Sequence, residues 1–167
     1  MSDEFDVVVI CSGNRFRSPI AEAILRRSTD GLPVRVESFG TMDLPPGHAL
    51  SEALELAPGY DLDLTAHRSR PLAGHDLSAA DLVIGFEPIH VATAVVGAHA
   101  RREHTFLITE LVFVPYDEVF EGGVTEEMFH RAPAIGKIER AIGWEPSCGL
   151  DQILADVIES VRMAPAG

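Results

Sequence analysis

Apolar residues along this chain come in blocks rather than in strict alternation with polar ones. Val7-Val8-Val9-Ile10 is an unbroken apolar run, and runs rich in Val, Ile, Leu or Phe recur near residues 34–38, 81–85 and 104–108. A strand covered on both faces reads as such a run, whereas a half-exposed strand alternates. Between the runs the spacing predicts helices near 18–28, 48–57, 89–97, 125–142 and 149–163. In the last of these Leu150, Ile153, Leu154, Val157, Ile158 and Val161 share the three-four spacing of one buried face. Strands and helices in alternation predict an α/β fold, with a parallel sheet covered by helices on both faces. The 167 residues suit a single domain, 1–167, without repeats or linkers.

Composition narrows the function more than the fold. A chain with 46% hydrophobic and 23% charged residues supports an ordinary core. Thirteen Lys and Arg against twenty-six Asp and Glu leave a net charge of −13, which disfavours a nucleic-acid partner. Any site for an anion must therefore work through local groups. Cys11 and Cys148 are the two cysteines, too few for a disulfide framework and without metal-ligand spacing, so neither metal nor cofactor is expected. No apolar run approaches the roughly 20 residues of a membrane span, and no basic leader precedes the first strand. The expectation is a cytoplasmic protein without a membrane partner.

The candidate chemistry lies directly after the first apolar run, in Cys11-Ser12-Gly13-Asn14-Arg15-Phe16-Arg17-Ser18. A strand that stops at a short polar loop and feeds a helix leaves several backbone N–H groups pointing at one spot, where an oxyanion fits. Ser18 is expected as the N-cap with Pro19 at the first helical position. Gly13 is expected to let the loop bend. Arg17 supplies a planar fork for two phosphate oxygens, and the loop from Ser12 through Phe16 supplies amides. Cys11 is the candidate nucleophile, because a helix N-terminus, loop amides and an arginine together favour a thiolate. A nucleotide P-loop is excluded by the missing Gly-Lys-Ser/Thr ending.

An apolar strand followed by C-x5-R-S-P and a helix resembles the low-molecular-weight protein tyrosine phosphatase family, in its bacterial form. Glu37-Ser38-Phe39-Gly40-Thr41 looks like that family's turn after the second strand, and His67-Arg68-Ser69-Arg70 like its His-Arg-Ala-Arg segment. Ala80-Asp81-Leu82-Val83-Ile84 resembles its third strand, and Phe86-Glu87-Pro88-Ile89-His90 the helix start that follows. The resemblance implies a four-stranded flavodoxin-like parallel sheet with the site at the carboxyl end of strand one. It also implies a phosphomonoester hydrolase that acts on a phosphorylated protein, with phosphotyrosine, or on a small phosphate ester. Thiolate attack by Cys11 would give a cysteinyl-phosphate that water hydrolyses, releasing inorganic phosphate. Ser18 would assist departure of the thiolate, and Asn14, Ser38 and His67 would hold the loop in shape.

The expected general acid departs from the family's Asp-Pro pair. Its counterpart is Glu145, in Gly143-Trp144-Glu145-Pro146-Ser147-Cys148-Gly149, with Asp117 a lower-ranked rival. Ser147 and Cys148 stand where relatives carry aromatic walls for a phosphotyrosine ring, and Met42 and Leu44 offer a substitute. Phe16 takes the place of a second loop cysteine, and Cys148 is a candidate disulfide partner for an oxidised Cys11. Two other functions fit the same cradle: an arsenate reductase, whose usual resolving cysteines are absent from residues 80–95, and a phosphate- or phosphoprotein-binding module without catalysis.

Overall fold

The structure, a computed structural model, describes residues 4–111. Four strands form one parallel sheet: β1 Phe5–Cys11, β2 Val34–Gly40, β3 Leu82–Gly85 and β4 Thr105–Leu107, in spatial order β2-β1-β3-β4. Helices α1 Arg17–Ser28, α2 Ser51–Leu56, α3 Pro88–Gly97 and the short α4 Ile108–Leu111 connect or follow them. The expected helices at 125–142 and 149–163, and the candidate residues Asp117, Glu145, Ser147 and Cys148, lie outside the described residues.

The apolar run of β1 is unbroken because its two faces feed two separate cores. Val7 and Val9 pack with Ile20, Ile24 and Leu25 of α1 and Ala53 of α2, whereas Val8 and Ile10 pack with Phe39, Leu72 and Ala94 of α3. Successive strand side chains point to opposite faces, so one strand needs apolar residues at every position when helices cover both. The α/β class, with a four-stranded parallel sheet and helices on both faces, is thus the observed one.

The remaining differences from the expected elements are local. Residues 48–50 are not helical and Leu50 is extended, α2 starts at Ser51, and the chain tightens into a 3-10 turn at Ala57–Tyr60, which ends at Asp61 in the left-handed conformation with φ 55°. β4 stops at Leu107 because the chain enters α4, where the Glu110 carboxylate accepts the Leu107 N–H at 2.7 Å. From β1 the chain crosses to β2 on one side and later to β3 on the other. The strand order therefore reverses at β1, and an open crevice forms beyond its carboxyl end. Cys11 is the last residue of that strand.

Candidate active site

Beyond Cys11 the chain leaves the sheet for five residues and enters α1 at Arg17. Among the described residues the backbone N–H groups of Gly13, Arg15, Phe16 and Arg17 have no acceptor. Such groups at the start of a helix make a cradle for an anion. The Cys11 thiol is buried and receives the Asn14 N–H at 3.3 Å, with the Ser18 hydroxyl at 3.0 Å. A thiolate carries no proton, so with Cys11 ionised the Ser18 hydroxyl is the donor.

Ser18 is not the helix cap that its Ser-Pro sequence suggests. The helix begins two residues earlier than that cap implies, at Arg17, Phe16 takes the cap position, and no side chain caps it. The Ser18 hydroxyl is instead turned into the loop, held between Cys11 Sγ and the Asn14 amide at 2.9 Å.

Asn14 is the hub of the loop. It is fully buried and left-handed, with φ 52°, a conformation that Asn adopts more readily than most L-residues. Its Nδ2 donates to Ser18 and, at 2.7 Å, to Ser38, while its Oδ1 accepts the Arg70 N–H at 2.8 Å. Its carbonyl accepts the His67 Nε2–H at 2.7 Å. Ser38 passes the chain on by donating to the Glu22 carboxylate, which is paired with Arg26 at 2.7 Å. Ser38 and His67 therefore both reach the loop through Asn14, one at its side chain and the other at its carbonyl.

The tight bend expected of Gly13 belongs to other positions. Gly13 has no positive φ, and a Cβ on it would meet only Leu44 Cδ1, at 3.9 Å. Gly40 is the position where only glycine fits: a Cβ there would lie 2.8 Å from the Ser12 carbonyl oxygen and 2.9 Å from the Gly13 carbonyl carbon. That close approach lets the end of β2 run under the loop, with Thr41 and Met42 donating to the Cys11 and Ser12 carbonyls, both at 2.9 Å.

Arg17 reaches across to the β3–α3 junction. Its Nη1 meets Glu87 Oε1 at 2.5 Å, its Nη2 lies 3.4 Å from Ser12 Oγ, and its Cζ sits 5.5 Å from the centre of the Phe86 ring. The hydrogen bond and charge of Arg17 hold the Glu87 carboxyl below its ordinary range. Glu87 also caps α3 reciprocally with His90: each side chain meets the other's backbone N–H, and Pro88 opens the helix. Burial pushes the His90 imidazole below its usual value.

Arg15 faces away from the cradle. Its guanidinium donates to the Pro45 carbonyl at 2.9 Å and to Ser69 at 3.4 Å, and packs so closely on Gly47 that a Cβ there would lie 2.5 Å from Nη2. It pins the segment after Thr41 beside the loop. The Phe16 side chain packs on the core below α1. Met42 and Leu50 are exposed on that segment, and Ile89 is exposed at the start of α3. Sequence reasoning missed Glu22, Glu87, His90 and Arg70. The readable signal was Glu87-Pro88-Ile89-His90, a cap, a proline at the first helical position and a partner three residues on.

A sequence model described as the low molecular weight phosphotyrosine protein phosphatase family matches residues 6–120. The chain belongs to this family. Among similar proteins is the "probable low molecular weight protein-tyrosine-phosphatase EpsP" of Ralstonia nicotianae, 36% identical over 78 residues, 47% of this chain and 52% of that one. The chain thus spans about half the length of that relative. The protein-arginine-phosphatase of Bacillus subtilis is 30% identical over 118 residues, 70% of this chain and 78% of that one. In solved structures, the low molecular weight protein tyrosine phosphatase from T. tengcongensis superposes with a TM-score of 0.62 at 26% identity. That match covers 93% of this chain and 99% of the other.

Proposed function

We propose that this family member is a phosphomonoester hydrolase that removes phosphate from a phosphorylated protein through a cysteinyl-phosphate on Cys11. The observation that carries this reading is the buried Cys11 thiol, approached by the Ser18 hydroxyl and the Asn14 N–H, in a loop whose Gly13, Arg15, Phe16 and Arg17 amides lack acceptors among the described residues. The Arg17 guanidinium and the backbone amides of Gly13, Arg15, Phe16 and Arg17 hold the phosphoryl oxygens, and their charge is matched best in the transition state. The Cys11 sulfur attacks phosphorus, the bond to the leaving oxygen breaks, and Glu145 protonates that oxygen. Water then attacks the phosphorus, inorganic phosphate leaves, and Ser18 stabilises the departing thiolate.

Phosphotyrosine is the first substrate class, following the family description. Phosphoarginine, a phosphoramidate, is the second, because a protein-arginine-phosphatase matches this chain over 118 residues; there the P–N bond breaks and the acid protonates the leaving guanidine nitrogen instead of an oxygen. Both classes need the same cradle and differ in the leaving group.

The test is steady-state hydrolysis of an activated aryl phosphate without metal, followed by phosphotyrosine and phosphoarginine peptides. Turnover that disappears in Cys11→Ser is expected, with a loss of about a hundredfold or more in Glu145→Gln when the leaving group is poor. Wild-type binding of phosphate without turnover would replace this reading with the non-catalytic module.

A further inference from the structure

The hydrogen bonds around His90 fix which ring nitrogen carries its proton. The Glu87 backbone N–H, 3.1 Å from His90 Nδ1, can only donate, so Nδ1 accepts and carries no proton. The ring proton of a neutral imidazole is then on Nε2, which lies 3.0 Å from Ser12 Oγ and donates to it. Burial disfavours the imidazolium and agrees with this neutral tautomer. Arg17 Nη2, which also can only donate, lies 3.4 Å from the same oxygen. Both lone pairs of Ser12 Oγ are therefore engaged by donors. Among the described residues no acceptor takes the hydroxyl proton of Ser12. This oxygen lies beside the guanidinium fork and at the first loop position after Cys11.

We propose that His90, with its proton on Nε2, orients the Ser12 hydroxyl so that Ser12 donates into the cradle as a further ligand for the bound phosphoryl group. Ser12 is then a binding group in direct contact with the anion, and His90 is a positioning residue acting through it. Glu87 serves the same arrangement twice. Its N–H sets the tautomer of His90, and its carboxylate seats Nη1 of Arg17, which leaves the rest of the fork facing Ser12 and the cradle. One helix cap thus couples the start of α3 to the phosphate loop.

This inference rests on the reading of the cradle as a phosphate site. Its test separates the two. Nitrogen-15 NMR of the imidazoles in the full chain, with His90 assigned by its disappearance in His90→Gln, reads the tautomer directly. The expected spectrum is a neutral ring protonated at Nε2 at pH 7; a ring protonated at Nδ1, or a cationic one, overturns the proposal whatever the enzyme does. Inorganic phosphate is then used as a competitive inhibitor of aryl phosphate hydrolysis. Ser12→Ala is expected to weaken phosphate binding about tenfold, as for the loss of one hydrogen bond to a charged group. His90→Gln is expected to weaken it in wild type and to add nothing to Ser12→Ala, the sign that one residue acts through the other. Phosphate binding that is unchanged in Ser12→Ala overturns the proposal alone. Failure of the wild type to bind phosphate overturns the phosphate-site reading and the proposal with it.

Discussion

Polar side chains crowd both ends of the sheet, and the two ends treat them differently. At the carboxyl ends of the strands Asn14, Ser18, Ser38, Ser69 and His90 are buried and joined by hydrogen bonds to the loop after Cys11, Ser69 through Arg15. At the amino ends Arg35 grips Asp6 through Nε at 2.7 Å and Nη2 at 2.8 Å, and Arg101 lies 3.7 Å from Asp81, all near the surface. Water competes for every group of an exposed pair, so the pair adds little and its geometry is soft. A buried polar group has no such substitute, and removal of its partner costs about 1–3 kcal/mol. The site end therefore specifies positions, while the opposite end only tolerates charges.

The sharpest way to break this contrast is at Asn14. Asn14→Ala removes two donors and an acceptor, strands the Arg70 N–H, and places a residue with a costly left-handed conformation at φ 52°. Activity towards an aryl phosphate is expected to fall at least a hundredfold, because the amides and Arg17 lose their common frame. Asn14→Gly separates the causes, since glycine accepts the same backbone angle. An equal loss of kcat/KM in both variants assigns the effect to the carboxamide, whereas full activity in Asn14→Gly would show that the network around it is dispensable.

The same contrast explains what could be read from the chain alone. β1 and β3 were legible because burial on two faces leaves a plain mark, the apolar run, whereas β2 at the sheet edge alternates through Val34-Arg35-Val36-Glu37. The meeting of Cys11, Asn14 and Ser18 was legible because the loop is contiguous in sequence. Glu22, Glu87 and His90 were not assigned roles because their contacts join separate elements, 16 residues apart for Glu22 with Ser38, 70 for Glu87 with Arg17 and 78 for His90 with Ser12. Periodicity carries no information about such contacts. The Ser18 cap failed for a related reason: a Ser-Pro pair predicts a helix start, but a nearby thiol and amide hold the hydroxyl elsewhere. Gly40 and Gly13 look alike in sequence, and only the close passage of β2 beneath the loop tells them apart.

Acid sharpens the comparison with a smaller effect, on stability. Folded His90 sits below its ordinary value of 6.5 through burial, opposed by the Glu87 charge and reinforced by that of Arg17. The unfolded chain therefore takes up a proton that the folded chain refuses as pH falls below 6.5, and stability declines from there towards the folded value. Glu87 acts in a lower window. Its folded carboxyl is depressed below 4.5 by Arg17, so its contribution is complete above 4.5 and lost only as pH falls through the folded value. Urea midpoints measured from pH 7 down to pH 5 are expected to fall in wild type and to flatten in His90→Gln. An identical slope in the two proteins would remove His90 as the source.

The smallest expected effect lies at the opposite end of the sheet. Arg35→Gln deletes the paired fork on Asp6, and by geometry alone this two-bond ion pair is the best in the described part of the molecule. The Arg35 side chain is nevertheless 54% exposed and covers an Asp6 carboxylate that is itself 19% exposed, so water takes the place of the guanidinium when it is removed. The expected loss is no more than about 1 kcal/mol, or roughly 2–4 °C in Tm, and it shrinks further in high salt. kcat/KM should equal that of wild type, because no hydrogen bond of Arg35 or of the Asp6 carboxylate reaches the loop. If Arg35→Gln matched Asn14→Ala in its effect on turnover, the division of the sheet into a specifying end and a tolerant end would fail, since an exposed pair would then be setting the geometry of the cradle from the far side of β1.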